Sequence, residues 1–451
     1  FAILFFFPVF SCSDDDKQEQ NQAQMTRVSI IPLPISLTHG RYNIPIPAEV
    51  TISENITGIA AELLTETLNE IAEVKGTVDN ENAFIRVYID NAIATEGYRI
   101  SVEDSGCNIY YSTPIGLLWG IQTMRQILLQ NTATADGAKS IPVLTLSDSP
   151  KKEWRGFHID VARHMFTIDY LKKVVDCLSF YKINKLQLHL TDDQGWRIEI
   201  KKYPALTDVG AWREFDEYDK ECIRLAETDK SYEIDSRFIR NGNEYGGYYT
   251  QDELKGLIDY ATDRGIEVIP EIDMPGHFSS AIRAFPNLSC TGQAGWGEEF
   301  SYPVCAGKKE NYPFFKDILD EVATLFSSSH FHIGGDEVEK DNWEKCPYCQ
   351  GLIQSEGLGD TDGLQNYFIK EMANHVRNSK SKVVMAWDDA FISKDPQELL
   401  YTYWRDWMAT QPAKITQQGY PMIFMEWGRF YLSADPSDEL LQSLYEFEFE
   451  P

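Results

Sequence analysis

Basic residues are scarce in this chain: 41 Lys and Arg stand against 70 Asp and Glu, leaving a formal charge of −29 over 451 residues. Phosphate-rich partners are held by clustered Lys and Arg, so this balance argues against nucleic acid and against anionic membrane surfaces. A membrane-spanning run is lacking at the start. The apolar stretch 1–10, FAILFFFPVF, is too short for the roughly 20 residues that cross a bilayer, and its length matches a signal-peptide core. A second Cys-x-x-Cys is also missing beside Cys346-Pro347-Tyr348-Cys349. That spacing therefore reads as a local disulfide or two free thiols rather than a metal knuckle, and the eight cysteines fix no connectivity. What the chain has in quantity is core: 43% apolar and 13% aromatic residues suffice for one large domain and a smaller one.

Cys12 follows Ser11 just after the apolar run and resembles the lipid-attachment site of bacterial lipoproteins. Asp14, Asp15 and Asp16 behind it look like a surface-export signal. The expected layout is a partial lipoprotein signal peptide at 1–12 with lipid attachment at Cys12, then a flexible tether at 13–27 that is polar and poor in aromatics. The expected place is outside the cytoplasm, lipid-anchored at a bacterial outer membrane or cell surface, touching membrane only through that anchor. No Met or basic segment precedes Phe1, so the start reads as incomplete.

Residues 28–150 mix strand-like alternation at 84–89 with helical patterns at 59–74 and 117–129, which predicts a small α+β domain ending near Asp148-Ser149-Pro150. From Trp154 the pattern becomes strand then helix, repeated. Strands are expected at 154–160, 185–191, 266–272, 330–335, 383–387, 400–404 and 421–426, with helices near 168–181, 251–264, 312–327 and 364–379. Such alternation over some 300 residues predicts a parallel sheet, and at this count a (β/α)₈ TIM barrel over 151–451. Seven strands are found, not eight, and the C-terminus reads as cut short.

The polar residues cluster where a barrel keeps its chemistry, just past the strand C-termini. His332-Ile333-Gly334-Gly335-Asp336-Glu337 is the densest of these clusters. Two adjacent carboxyls cannot both ionise cheaply once water is excluded, so one tends towards the neutral acid. The glycines before them let a substrate approach the backbone. Arg163 offers a fork of donors for paired hydroxyls. Asp192 and Asp193 close a second strand, Asp273 and His277 a third, and Trp387 and Trp404 two others, their faces suited to pyranose rings. His330 and His332 alternate onto one strand face, as in metal-dependent amidohydrolases, but later strand ends carry Trp and Asp instead of further His. No metal ligand set is assigned on this reading.

Taken together, four blocks resemble the signatures of glycoside hydrolase family 20, the exo-acting β-N-acetylhexosaminidases. They are Arg155 to His164 (RGFHIDVARH), His189 to Arg197 (HLTDDQGWR), Pro270 to His277 (PEIDMPGH) and His332 to Glu337 (HIGGDE). The resemblance runs from about 28 to 433. It implies a retaining, substrate-assisted mechanism in which the 2-acetamido oxygen attacks the anomeric carbon, without a cofactor. It implies Glu337 as the acid and base and Asp336 as the residue that orients the acetamide. Arg163 would bind the terminal sugar's hydroxyls, with Asp192 and His277 forming a polar chain behind Glu337, supported by Asp273 and His189. Trp387 and Trp404 would wall the acetamide pocket, and Tyr431 would hydrogen-bond the acetamide oxygen. The implied partners are glycans ending in N-acetylglucosamine or N-acetylgalactosamine.

The chain departs from the family pattern twice. Ser433 stands where an Asp is usual, with Asp435 nearby, which leaves gluco- against galacto-preference open. The eighth strand, which normally brings a Trp and a Glu to the pocket, has no counterpart. A family member specialised for sulfated or disaccharide units, or a non-catalytic surface glycan-binding protein, remain the other readings. The acidic insertion 214–246 reads either as a wall of a further sugar subsite or as a solvated loop.

Overall fold

A computed structural model describes residues 27–133, 137–293, 300–392, 398–432 and 437–447. The proposed lipid site Cys12 and the departure at Ser433 lie outside the described residues. The chain divides into two compact units: the first runs to Arg155 and includes Cys177–Ile183, the second holds Gly156–Asp176 and the chain from Asn184.

The first unit is built on a mixed sheet of eight strands. Its core takes alternate residues of Ile85–Ile89, Tyr98–Glu103 and Gly106–Tyr111, with Ile85, Ile100 and Ile109 fully buried against Leu64, Leu68, Ile121 and Ile127 of two helices. The helix Pro114–Leu129 begins where the Thr113 side chain accepts the Gly116 N–H and Pro114 presets the first turn. The other helix is shorter than its apolar pattern predicts. It spans Gly58–Asn69, and Glu73–Val78, with Val74, Thr77 and Val78 β-branched and Gly76 at φ 101°, turns into an edge strand instead.

The second unit carries the parallel sheet of a TIM-barrel fold. Its strands are β1 (Gly156–Asp160), β2 (Lys185–His189), β3 (Glu267–Glu271), β4 (His330–His332), β5 (Val383–Trp387), β6 (Leu400–Tyr403) and β7 (Met422–Phe424), joined in chain order. Helices α1 (Ile168–Phe180), α2 (Gln251–Asp263), α3 (Tyr312–Leu325), α4 (Thr361–Lys380) and α5 (Gln411–Gln417) lie in five of the six crossovers, and between β5 and β6 a 3₁₀ turn, Asp388–Ala390, is described. Among the described residues the sheet has these seven strands, with β1 and β7 at its edges. β4 is shorter than predicted because Gly334 and Gly335, both at positive φ, bend the chain out of the sheet. Local chemistry sets the helix starts: Thr250 and Glu253 form a reciprocal capping box on α2, and Asp360 caps α4. No described helix is long and apolar enough to cross a membrane.

The insertion is folded rather than irregular. Trp212–Glu214, Ile239–Arg240 and Glu244–Gly246 form a three-stranded sheet, and the helix Glu217–Leu225 is capped by Asp216.

Candidate active site

Strand register brings ionisable residues from four strands into one row. Asp160 lies opposite His189, His189 opposite Glu271, and Glu271 opposite His332. Glu271 is the hub. It is fully buried, and its carboxylate takes the indole N–H of Trp387 at 2.8 Å, the Gln187 amide at 2.7 Å and His158 Nε2 at 3.1 Å, with His189 Nδ1 3.0 Å away. Burial opposes its charge, but His189 and His332 outweigh that and hold it well below the usual carboxylate range.

One layer beyond the strand ends, a charge chain leads to the adjacent carboxyls Asp336 and Glu337. Arg163 reaches Asp160 and Asp192, each at 2.8 Å. Asp192 also meets His189 Nε2 at 2.7 Å and His277 Nδ1 at 3.2 Å. Burial would raise Asp192, yet His277 and Arg163 hold it well below its ordinary range. For His277 burial disfavours the cation, and Asp192 with Asp336 reverses this, so the imidazole sits well above its ordinary value. Its Nε2 lies 3.5 Å from both Asp336 Oδ2 and Glu337 Oε2. The structure thus gathers Arg163, Asp192, His189, His277, Asp336 and Glu337 into one connected group.

Of the adjacent carboxyls, Asp336 is the deeper: its side chain is 16% exposed against 34% for Glu337. Burial pushes Asp336 up to about 6, with Asp389 adding to the rise and His277 opposing it. Asp273, fully buried, is raised well above its usual range by burial and then by Asp336. Asp336 Oδ1 and Asp273 Oδ2 are buried oxygens with no hydrogen-bond partner among the described residues.

The loops that carry these groups are strained where they act. Glu337, His277 and Ser301 have φ of 46°, 50° and 52°, a region that costs non-glycine residues about 1–3 kcal/mol each. They share supports. The Ser301 hydroxyl donates to the Glu337 carbonyl, and the Ser301 and Ser279 N–H groups donate to Asp193. Asp193, a site candidate from sequence, therefore holds loops rather than substrate. Behind them the buried Arg197 guanidinium donates to the carbonyls of Ala162, Ala211 and Gly247, fixing the turn from Asp192 onwards.

The aromatic residues line the far side. Trp387 is buried, its edge towards His332 with ring centroids 4.8 Å apart. Trp404 donates its indole N–H to Asp389 at 2.9 Å and stacks on Tyr431 at 6.4 Å between centroids, 17° from parallel. Arg405 pairs with Asp388 and Asp389, and Asp389 Oδ1 accepts the Glu337 N–H at 3.3 Å. Tyr431 is 37% exposed, and its phenol is raised by partial burial and by Asp336, Glu271 and Glu337 nearby. Sequence reasoning missed Glu271, His158, Ser301, Asp389 and Arg405. His158 and Glu271 carried a signal by lying inside the blocks Arg155 to His164 and Pro270 to His277, and Asp389 by following Trp387-Asp388.

His330 and His332 do not converge on a shared ligand. His330 Nδ1 meets Glu267 Oε1 at 2.9 Å, while His332 Nδ1 accepts the Gly334 N–H at 3.1 Å, and burial pushes His332 down to about 4. Other His and carboxylate groups here, such as Asp273, His277 and Asp336, stand close enough for a metal. In these sets the acids and bases already neutralise one another, and the strand-end pattern of an amidohydrolase is not formed.

Comparison with known proteins agrees with this arrangement in both units. The family model "Glycosyl hydrolase family 20, domain 2" matches residues 27–149, and "Glycosyl hydrolase family 20, catalytic domain" matches 153–448. A beta-hexosaminidase of Porphyromonas gingivalis is 36% identical over 86% of this chain and 49% of its own length. One of Akkermansia muciniphila is 32% identical over 82% of this chain and 69% of its own. The chain therefore spans about half to two thirds of these curated relatives. The crystal structure of a beta-N-acetylhexosaminidase from Bacteroides fragilis superposes with a TM-score of 0.72 at 32% identity, covering 87% of this chain and 74% of that one. A Vibrio harveyi exo beta-N-acetylglucosaminidase, solved with N-acetylglucosamine, gives 0.73 at 26% over 88% and 60%. With the family's two domains matched in order over nearly the whole described sequence, the chain belongs to glycosyl hydrolase family 20.

Proposed function

We propose that this chain hydrolyses terminal β-linked N-acetylhexosamine from glycans, acting from the chain end with retention through the substrate's own 2-acetamido group. The observation that carries the reading is the geometry around His277. One imidazole nitrogen stands 3.5 Å from both Asp336 and Glu337, while the other is anchored on Asp192, which also holds Arg163. A single charge chain thus joins a donor fork for sugar hydroxyls to both carboxyls.

In this mechanism Glu337, the more exposed carboxyl, protonates the leaving oxygen and later activates water. Asp336 accepts the acetamide N–H through its unpartnered buried oxygen and balances the charge that grows on that nitrogen. The acetamide oxygen attacks the anomeric carbon, the glycosidic bond breaks, and water then opens the oxazolinium ion. Trp387, Trp404 and Tyr431 confine the acetamide. The solved Vibrio harveyi relative, in complex with N-acetylglucosamine, supports the choice of sugar.

The test compares aryl N-acetyl-β-glucosaminide with the plain β-glucoside, using the chain and its Glu337→Gln variant. Cleavage of the acetamido substrate alone, lost in the variant and blocked by a thiazoline mimic of the oxazoline, is expected. Equal cleavage of both substrates would sink the acetamide mechanism. A folded chain that binds the sugar but cleaves neither substrate would favour a binding role. The reading also places the protein outside the cytoplasm on a lipid at Cys12. Labelled fatty acid should enter the protein when its native gene is expressed in a Gram-negative host, and Cys12→Ala should abolish the labelling.

A further inference from the structure

Four cysteines from three separate segments of the chain meet at one point. Cys290 follows the short turn Pro286–Leu288, Cys305 precedes α3, and Cys346 and Cys349 sit at the start of the helix Pro347–Glu356. Their sulfurs all lie within 4.8 Å of one another. Cys290 is 3.8 Å from Cys349, and Cys305 is 3.6 Å from both Cys346 and Cys349. None of these separations is the roughly 2.0 Å of a disulfide. They match instead the edge of a tetrahedron with zinc–sulfur bonds of about 2.3 Å, which is close to 3.8 Å.

The surroundings have the features of a thiolate metal site. Cys305, Cys346 and Cys349 are buried and Cys290 is partly so. The Gly307 N–H is directed at the Cys305 sulfur, as the backbone does in a metal knuckle. Gly307 also lets two backbones touch: a Cβ there would fall 2.3 Å from the Cys349 nitrogen. Lys308 donates to the Ser289 carbonyl at 2.7 Å, placing a cation one residue from Cys290, where it would offset the negative charge of four thiolates.

We infer that Cys290, Cys305, Cys346 and Cys349 form a structural zinc site that clamps the loop after β3 to the loop after β4. Zn²⁺ binds as the four thiols give up their protons, with no redox step. The first loop carries His277 and Ser301, and the second carries Asp336 and Glu337. The clamp continues in hydrogen bonds between them, from Ser301 to Glu337 and from the Trp343 indole to the Val304 carbonyl at 2.8 Å. The Cys346-x-x-Cys349 spacing is therefore one half of the set. Its other half, Cys290 and Cys305, has no such spacing, which is why the motif reads as a lone pair in sequence.

The test is metal analysis of the chain purified without chelator. One zinc per chain is expected, released as a mercurial titrates the four cluster thiols after the accessible Cys177 and Cys222 have reacted. Cobalt substitution should give a thiolate charge-transfer band in the near ultraviolet and tetrahedral bands in the red. Cys346→Ser should lose the metal and melt at lower temperature, while Glu337→Gln keeps both, so failure here is distinct from failure of the catalytic reading. If the serine variant does not fold, stoichiometry and mercurial release on the unaltered chain still decide. A folded chain without bound metal, its four cysteines joined in two disulfides by mass or reacting as free thiols, overturns the inference.

Discussion

Asp273 and Gly334 occupy adjoining space so tightly that a Cβ on Gly334 would fall 1.7 Å from Asp273 Oδ1, the same oxygen that accepts the Gly335 N–H at 3.0 Å. Gly334 also has φ 68°, which disfavours any side chain. The turn into Asp336 and Glu337 is thus built directly against the acid of the neighbouring strand. Gly334→Ala must push Asp273 or the turn aside by more than an ångström. A folded variant with kcat lowered by about 100-fold or more is expected, since shifts of that size misalign reacting groups. The measurement is kcat beside the circular dichroism spectrum. Activity within a few-fold of the parent would show that the turn can relax without cost.

Asp336 sets function against stability. Its carboxyl is pushed from 3.8 up to about 6 in the folded chain, mainly by burial. Between those values the folded state holds a proton that the unfolded state has lost, so stability falls as pH rises from about 4 to 6 and stays reduced above that. Asp336→Asn removes the buried charge. The variant should melt higher than the parent at pH 7, by on the order of 1–3 kcal/mol in stability, and match it near pH 4. Its activity should be largely lost. Melting curves across this range decide, and a variant less stable at pH 7 would contradict the burial argument.

The seven strands were legible because each is a short apolar run closed by a polar residue, as in Lys185 to His189 followed by Asp192 and Asp193. That Arg163, Asp192, His277, Asp336 and Glu337 belong together was legible through blocks of local sequence. What was not legible depends on register. Glu271 meets His189, Gln187 and Trp387 only because β2, β4 and β5 align with its own strand, and no spacing within one strand announces that. The cysteine cluster was hidden for the same reason, its four sulfurs coming from three separate segments. Val74 to Val78 misled because an apolar pattern at helical spacing ran into β-branched residues.

Asp192 is the anion that keeps His277 charged against its burial. In Asp192→Asn the imidazole should lose its proton at lower pH, so the alkaline limb of the kcat/KM profile should move down. KM should rise as well, because Arg163 loses the partner it holds at 2.8 Å. The pH profile separates this from simple displacement: a profile lowered without any shift would mean that Asp192 only positions its neighbours.

Glu271 makes the strongest stability claim. Its carboxylate is fully buried and is met by the Trp387 and Gln187 donors and by His158 and His189. Removing it strands those groups without water to replace it. Breaking one side of such a buried network costs about 3–5 kcal/mol, so Glu271→Ala should lose that much in urea unfolding at pH 7. Trp387→Phe deletes one donor to the same charge and keeps most of the apolar contact, which predicts a loss of about 1.5–3 kcal/mol. Because the two side chains share one hydrogen bond, the double variant should cost less than the sum of the single ones. Full additivity would mean that the indole and the carboxylate stabilise the barrel independently, and that the groups gathered around Glu271 do not act as a unit.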